Sequence, residues 1–403
     1  MKNQPQRLSP VIARNPRFSY LPDKDRYLLA LDPPQYKFNL IGCGINGLEH
    51  IRVTHIEGRA TMHGVYDPNP RSIAAGQAAH AQFSETPLVV YDSLEAAAND
   101  PEVDGLIICT PNYTHIDVVR QIADCGKHIL LEKPMATTVA DAYEIAQIAN
   151  KHEAIFQIGL QYRYKAMYAE AAYEALERKS AGDIKTINIL KHRLPFLDKV
   201  NQWNKFSKYS GGTMVEKCCH YFDMINLLAQ SRPVQVFGSG SQAVNFVGFE
   251  YEGETSDIID NAFIHILYEN GIQAGFHLCM FAPCFQEDLT ICGDEGRIRS
   301  YIVNNFLPSS GEETRLEVMR GEKRPSRVSS PSYPASVLQS GHSGATYYEH
   351  VNLINKMEGK ESTAATADEG FWSVVVGVAA EESIRTGQIV RIDELLARNN
   401  IEA

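Results

Sequence analysis

The chain has 403 residues, 49 acidic against 38 basic side chains, and a formal net charge of −11. That length suits two domains with a sizeable core, and the acidic balance argues against a general affinity for nucleic acid or anionic membrane. No apolar stretch is long enough to span a bilayer. The first residues are partly basic but lack a continuous apolar run and a small-residue cleavage site. The eight cysteines form no Cys-x-x-Cys pair and read as small buried thiols of a reducing compartment, so a cytoplasmic protein is expected.

Residues 1–35 hold many prolines and charges and read as an extension that packs on the surface or on a partner subunit, or as a disordered tail. From Phe38 strands and helices alternate. Ile45 to Ile56 is helical, Val65 and Tyr66 close a second strand, and Arg71 to Gln82 is an alanine-rich helix. Leu88 to Tyr91 is a short strand, and Ser93 caps the helix that follows. Gly105 to Cys109, His128 to Leu131 and Ala154 to Gly159 are further strands, separated by helices over His115 to Cys125 and Thr138 to Lys151. This alternation predicts a doubly wound parallel sheet over 36–160, with ligands at the strand carboxyl ends.

Over 161–403 the pattern predicts an α+β domain with a largely antiparallel sheet. A helix from Lys165 to Lys179 leads to a long strand, Ile184 to His192. A helix from Thr213 to Ala229 precedes β-rich segments at Val234 to Ser239, Asn261 to Tyr268, Ile272 to Met280, Leu289 to Cys292 and Arg297 to Tyr301. Asn270-Gly271 is a hairpin turn. Residues 323 to 334 read as a loop, and helices at Ala345 to Met357 and Ala367 to Thr386 finish the chain.

Four stretches can carry chemistry. Gly42-Cys43-Gly44-Ile45-Asn46-Gly47 follows the first strand and opens a helix. Gly42 lets the chain turn, Gly44 lets a diphosphate approach the backbone, and Gly47 lets the helix sit close on the sheet. Asp67 ends the second strand, where such a unit places the acid that bonds adenosine ribose hydroxyls; more plainly, it caps residues 68 to 71. A carboxylate there repels a 2′-phosphate, which favours NAD over NADP, while Arg71 nearby can accept one. Thr110-Pro111-Asn112, with His115, is either a backbone contact for the nicotinamide half or a plain strand–turn–helix.

Glu132-Lys133-Pro134 follows a buried strand. Its lysine is a charged donor to a substrate hydroxyl or a surface lysine opening a loop. In Gly211-Gly212-Thr213-Met214-Val215-Glu216-Lys217-Cys218-Cys219-His220, a continuous helix stands Glu216 and His220 one turn apart on one face. There a histidine can take a proton and a carboxylate can orient it, or the two are a packed core pair. Cys218 and Cys219 point about 100° apart on a helix, so they cannot join Glu216 and His220 at one ion, and no metal is expected.

In this order the motifs resemble the Gfo/Idh/MocA family of glucose–fructose oxidoreductase and inositol dehydrogenase-like enzymes, from Phe38 to the C-terminal helices. The resemblance implies a Rossmann domain followed by a domain with a large open sheet, through which copies pair as homodimers or homotetramers. It implies NAD(P)-dependent hydride transfer at a secondary alcohol of a sugar, cyclitol or derivative. Lys133 matches the family's catalytic lysine and His220 its helix histidine. Ile45, Asn46, His115, Glu132 and Lys133 join Gly42, Gly44, Gly47, Asp67, Arg71, Thr110, Pro111 and Asn112 as cofactor-site residues. The motif carries Asp four residues before the histidine and Gly two before it; here these are Glu216 and Cys218. Tyr162, Arg163, His192, Arg193, Trp203 and Asn204 are candidate substrate contacts or ordinary packing residues. Glycoside cleavage through an NAD redox cycle, or a catalytically silent cofactor-binding regulator, are the other readings.

Overall fold

The computed structural model describes residues 33–305, 312–322, 324–338 and 340–402; the extension expected over 1–35 lies outside them up to residue 32. The chain forms two compact units, neither continuous in sequence. Among the described residues, the first joins those from 33 to 132 with Gln147–Tyr164 and Tyr333–Thr366. The second joins Lys133–Ala146, Lys165–Ser332 and the residues from Ala367 onward.

The first unit is built on six parallel strands, β1 (Tyr36–Ile41), β2 (Ala60–Tyr66), β3 (Val89–Val90), β4 (Gly105–Ile108), β5 (His128–Glu132) and β6 (Phe156–Gly159). Their order, β3-β2-β1-β4-β5-β6, is doubly wound. Every residue of β4 is buried, as a parallel sheet covered on both faces requires. Leu40 pairs with Val65 on one side and Ile107 on the other, and Ile107 with Leu130. Phe38, Leu40, Ile107 and Leu130 share a core with Ile51 of helix Ile45–Glu57 and with Leu353 and Ile354 of helix Ala345–Met357. The carboxyl ends of β1, β2, β4 and β5 carry Gly42, Asp67, Thr110 and Glu132.

The second unit holds a nine-stranded sheet. Its strands are β7 (Ile184–His192), β8 (Pro233–Ser241), β11 (Asn261–Tyr268), β12 (Gln273–Cys279), β13 (Phe285–Gly293), β14 (Arg297–Asn304), β15 (Glu313–Met319), β16 (Arg327–Ser329) and β17 (Val390–Arg391). A separate two-stranded ribbon pairs β9 (Glu250–Tyr251) with β10 (Glu254–Thr255). The order is β16-β15-β14-β13-β7-β12-β11-β8-β17. Among the described residues only β7 with β12 is parallel, so the sheet is mixed and mostly antiparallel. Along β7, Ile187, Ile189 and Lys191 are buried while Thr186 and Asn188 are exposed, the alternation of a sheet covered on one face.

Several expectations need correction. The helix expected over Lys165 to Lys179 is α-helical only at Ala166–Ala172 and widens to a π-turn at Tyr173–Glu177. The stretch read as a loop over 323 to 334 contains β16, and β15 was not anticipated. Both are outer strands with weak apolar patterning. The chain ends not with helix Ala367–Thr386 but with β17 and a further helix, Ile392–Arg398. The helix expected from Thr213 to Ala229 is broken into Thr213–Glu216 and Cys219–Ala229.

Candidate active site

The glycine-rich turn of the first unit has the geometry its sequence requires. Gly42 sits at φ +94°, and a Cβ there would lie 2.8 Å from the Cys109 carbonyl. A Cβ on Gly47 would lie 2.2 Å from the Gly42 oxygen. At Gly44 the same Cβ would meet nothing within 4 Å, so the backbone is open where a diphosphate must approach. Gly44 caps helix Ile45–Glu57 without a side chain, which leaves the first helical N–H groups and the positive dipole end for an anion. Ile45 is exposed and Asn46 half-buried at this end.

Asp67 accepts from the Cys43 N–H at 2.7 Å and the Asn69 N–H at 2.8 Å. Its carboxylate therefore ties the glycine turn to the end of β2 while remaining partly open. The cap of helix Pro70–His80 is Asn69, which accepts from the Arg71 N–H; Arg71 itself is exposed. Thr114 Oγ1 donates toward Pro111 O and Thr110 Oγ1, and the buried His115 ring meets Thr110 O at 3.0 Å, so these residues brace the turn after β4. Asn112 is buried in the same turn. These features fit a dinucleotide, and they leave Glu132 to a different partner, His50, at 2.9 Å.

Lys133 opens the second unit, and its bond to Pro134 is cis. Lys133 is buried, and its ammonium donates to the Glu216 carbonyl oxygen at 3.0 Å. The Glu216 carboxylate is buried. Oε1 meets Lys199 Nζ at 3.4 Å, and Oε2 has no hydrogen-bond partner among the described residues. Burial pushes the Glu216 pKa up, but Lys133, Lys199, Lys217 and Arg193 outweigh it and hold the carboxyl ionised, at about 2. Nothing in the sequence flanking Lys199 marked it as a partner of this carboxylate.

The break after Glu216 is a widened turn. The Cys218 N–H reaches back five residues to Thr213 O at 3.2 Å, one residue more than an α-turn spans. Helix Cys219–Ala229 then restarts, carrying His220, which is 1 % exposed. Glu216 and His220 are thus not neighbours on one continuous helix. Gly212, at φ +87°, makes room for the half-buried Glu381 carboxylate, which accepts from the Met214 N–H at 2.8 Å. Burial pushes the Cys219 thiol up to about 12 and the Cys218 thiol well above its ordinary range, so neither offers a ready thiolate.

The candidate substrate residues divide. Trp203 belongs with the Glu216 site, because Lys199 Nζ lies 4.6 Å from its ring centre. Arg193 adds to the field on Glu216 while its Nε donates to Leu194 O. Asn204 is buried and donates to Leu197 O at 3.0 Å, which shapes the loop. His192 alternates with the buried Lys191 and packs edge-on against His277 on the opposite face of the sheet, their ring centres 5.2 Å apart. Tyr162 and Arg163 are buried in a 3-10 turn of the first unit, the Tyr162 ring 6.4 Å from that of His342.

Residues 36–160 match the sequence model of an oxidoreductase family's NAD-binding Rossmann fold, and residues 173–392 match the C-terminal alpha/beta domain of the same family. Myo-inositol 2-dehydrogenase of Thermotoga maritima is 23 % identical over 310 residues, which is 76 % of this chain and 85 % of that protein. The scyllo-inositol 2-dehydrogenase (NAD(+)) of Bacillus subtilis is 27 % identical over 270 residues, 66 % of this chain and 73 % of that one. Among solved structures, a levoglucosan dehydrogenase complexed with NADH and levoglucosan shares the fold, with a TM-score of 0.72 at 18 % identity over 89 % of this chain and 99 % of that one. The chain, with its NAD-binding Rossmann domain, belongs to the Gfo/Idh/MocA oxidoreductase family.

Proposed function

We propose that the protein is an NAD-dependent dehydrogenase of a secondary alcohol in a sugar, cyclitol or sugar derivative, with Lys133, His220 and Glu216 as its reactive side chains. The observation that carries this reading is the buried Glu216 carboxylate. It is held ionised beside Lys133 and Lys199, and its Oε2 lacks a hydrogen-bond donor. An unpaired carboxylate oxygen in a dry setting is costly, and a substrate hydroxyl satisfies it. The relatives that act on inositols support the same substrate class.

In the oxidative direction the substrate's C–H and O–H bonds are both broken. His220 takes the hydroxyl proton as general base. The Lys133 ammonium donates to the reacting oxygen and stabilises the negative charge that develops there. Glu216 holds a neighbouring hydroxyl. The glycine turn, Asp67 and the Thr110–Asn112 turn would hold NAD, which would supply the hydride-accepting chemistry. Asp67 favours the free 2′-hydroxyl of NAD over the 2′-phosphate of NADP.

Pairing of copies through the outward face of the nine-stranded sheet fits the exposure of Phe263, 63 %, whose ring stacks on His277 at 4.1 Å. Light scattering of the wild-type protein and of Phe263→Glu tests this.

The function itself is tested by incubating the purified protein with NAD or NADP and a panel of cyclitols, aldoses and glycosides while following reduced-nicotinamide absorbance. Turnover of a polyol with NAD, lost in Lys133→Ala, is the expected result. Tight NAD binding with no reduction by any member of the panel overturns the dehydrogenase reading.

A further inference from the structure

The first unit buries a set of ionisable side chains that hydride transfer does not use. His50 stands on helix Ile45–Glu57, Glu132 ends β5, and Glu349 and His350 lie on helix Ala345–Met357. All four are 3 % exposed or less. One ligand atom each from His50, Glu132 and Glu349 lie within 4.8 Å of one another.

Counting protons defines what is missing. The single proton of the Thr54 hydroxyl goes to His50 O at 2.8 Å, so toward His350 Nδ1, at 3.5 Å, this hydroxyl acts as an acceptor. His350 then carries its proton on Nδ1. Its Nε2 faces His50 Nδ1 at 2.8 Å, a pair that places the His50 proton on Nδ1 wherever His350 Nε2 is the acceptor. With its proton on Nδ1, His50 turns Nε2 toward Glu132 Oε1 at 2.9 Å. A proton or a metal ion can join two such atoms. The second observation is independent: both carboxylate oxygens of Glu349, 0 % exposed, have no hydrogen-bond partner among the described residues.

We propose that a first-row divalent cation, of the Zn²⁺ or Mn²⁺ type, binds in the first unit between His50 Nε2 and the carboxylates of Glu132 and Glu349. One imidazole and two carboxylates suit such an ion, and their two negative charges neutralise it in a place where net charge is costly. His350 and Thr54 fix the His50 ring in the tautomer a ligand needs, as the other ring N–H of a metal-bound histidine is ordinarily fixed. The remaining ionisable neighbours do not compete. Glu49 is held by His342 Nδ1 at 2.8 Å and Thr346 Oγ1 at 2.5 Å, and burial keeps the Cys109 thiol protonated. Without the cation, burial and the nearby Glu132 and Glu49 push the Glu349 carboxyl well above its ordinary range. The ion would clamp two helices and the end of β5 together.

The test uses the full chain without a histidine tag, loaded with ZnCl₂ or MnCl₂ and passed through gel filtration. Elemental analysis is expected to find about one ion per wild-type chain and less than about a tenth of that in Glu349→Gln. The wild-type melting temperature should rise by several degrees with metal and fall back with EDTA, and that of Glu349→Gln should not move. Glu349→Gln keeps the shape and neutrality of a protonated carboxyl, so it folds even where His50→Gln does not; circular dichroism and NAD binding check this. Wild type that retains no more metal than Glu349→Gln, or a melting temperature indifferent to both metals, overturns the proposal and leaves a shared proton between His50 and Glu132. Neither readout depends on turnover, so a failed dehydrogenase assay leaves this result standing.

Discussion

Lys133 Nζ donates to the backbone oxygen of Glu216 at 3.0 Å, joining residues 83 positions apart in the chain. The bond aims the ammonium from the residue after β5 at the last turn of helix Thr213–Glu216. A neutral isostere keeps the packing and loses both this bond and the charge offered to a reacting oxygen. Lys133→Met is therefore expected to lower kcat by roughly 10²- to 10⁴-fold while NAD affinity stays within about threefold of wild type. Steady-state kinetics with NAD titrated by fluorescence separates the two. Equal losses of kcat and of NAD binding would assign Lys133 to the cofactor cradle alone.

Glu216 makes a pH prediction with a definite sign. Its carboxyl titrates at about 2 in the folded chain against an ordinary 4.5, so folding favours the ionised form. The corresponding stability is fully present above about pH 4.5 and is lost as pH falls toward 2. A shift of that size corresponds to roughly 3 kcal/mol. Glu216→Gln should be less stable than wild type in urea at pH 7. The gap should close as both are measured at successively lower pH between 4.5 and 2. A gap that stays constant over this window would mean that the carboxylate charge is not what stabilises the loop.

Gly44 and Gly47 separate cofactor binding from folding. Gly44 has φ −71° and open space where a Cβ would stand, whereas the Cβ of Gly47→Ala would collide with the Gly42 carbonyl. Gly44→Ala is expected to leave the melting temperature within about 2 °C and to weaken NAD binding at least tenfold, or about 1.4 kcal/mol. Gly47→Ala should lower stability by about 1–3 kcal/mol whether or not NAD is present. Calorimetry with and without NAD checks both. If Gly44→Ala bound NAD normally, the diphosphate would have to lie elsewhere than over this turn.

The parallel sheet was legible because β1, β4 and β5 are short apolar runs punctuated by glycine, proline and caps such as Ser93, whose Oγ accepts the Ala96 N–H. Such signals are local. The break at Lys217–Cys218 was not legible. Residues 213 to 229 keep a helical pattern through it, and the widened turn comes from tertiary partners, the Lys133 ammonium on Glu216 and the Glu381 carboxylate on Met214. For the same reason Lys199 was missed, because it reaches Glu216 out of an irregular loop. His50 and Glu349 were equally silent: each occupies an ordinary helical position, and only the fold brings them to Glu132.

Glu287 on β13 takes two ammonium groups at once, Lys165 at 2.8 Å and Lys191 at 2.9 Å, and the Tyr221 hydroxyl at 3.1 Å. Glu287 and Lys191 are fully buried and Lys165 nearly so. Burial opposes ionisation, yet the two lysines hold the carboxyl far below its ordinary range, so its stabilising charge is present at every pH above about 4.5 and is lost only in strong acid. The strands place it there, since Glu287 and Lys191 are directly opposed across β13 and β7, and Lys191 also lies 3.1 Å from the Phe285 ring centre. Removing the carboxylate charge alone strands two cations in the core. Glu287→Gln is therefore expected to cost about 3–5 kcal/mol, the range for breaking a buried ion pair. Replacing Lys191 as well, in Glu287→Gln with Lys191→Met, removes one stranded charge and should recover at least about 1 kcal/mol of that loss. Urea unfolding of the two single variants and the double variant measures the coupling. Strict additivity would mean that Lys165 alone balances Glu287 and that Lys191 is held by the Phe285 ring.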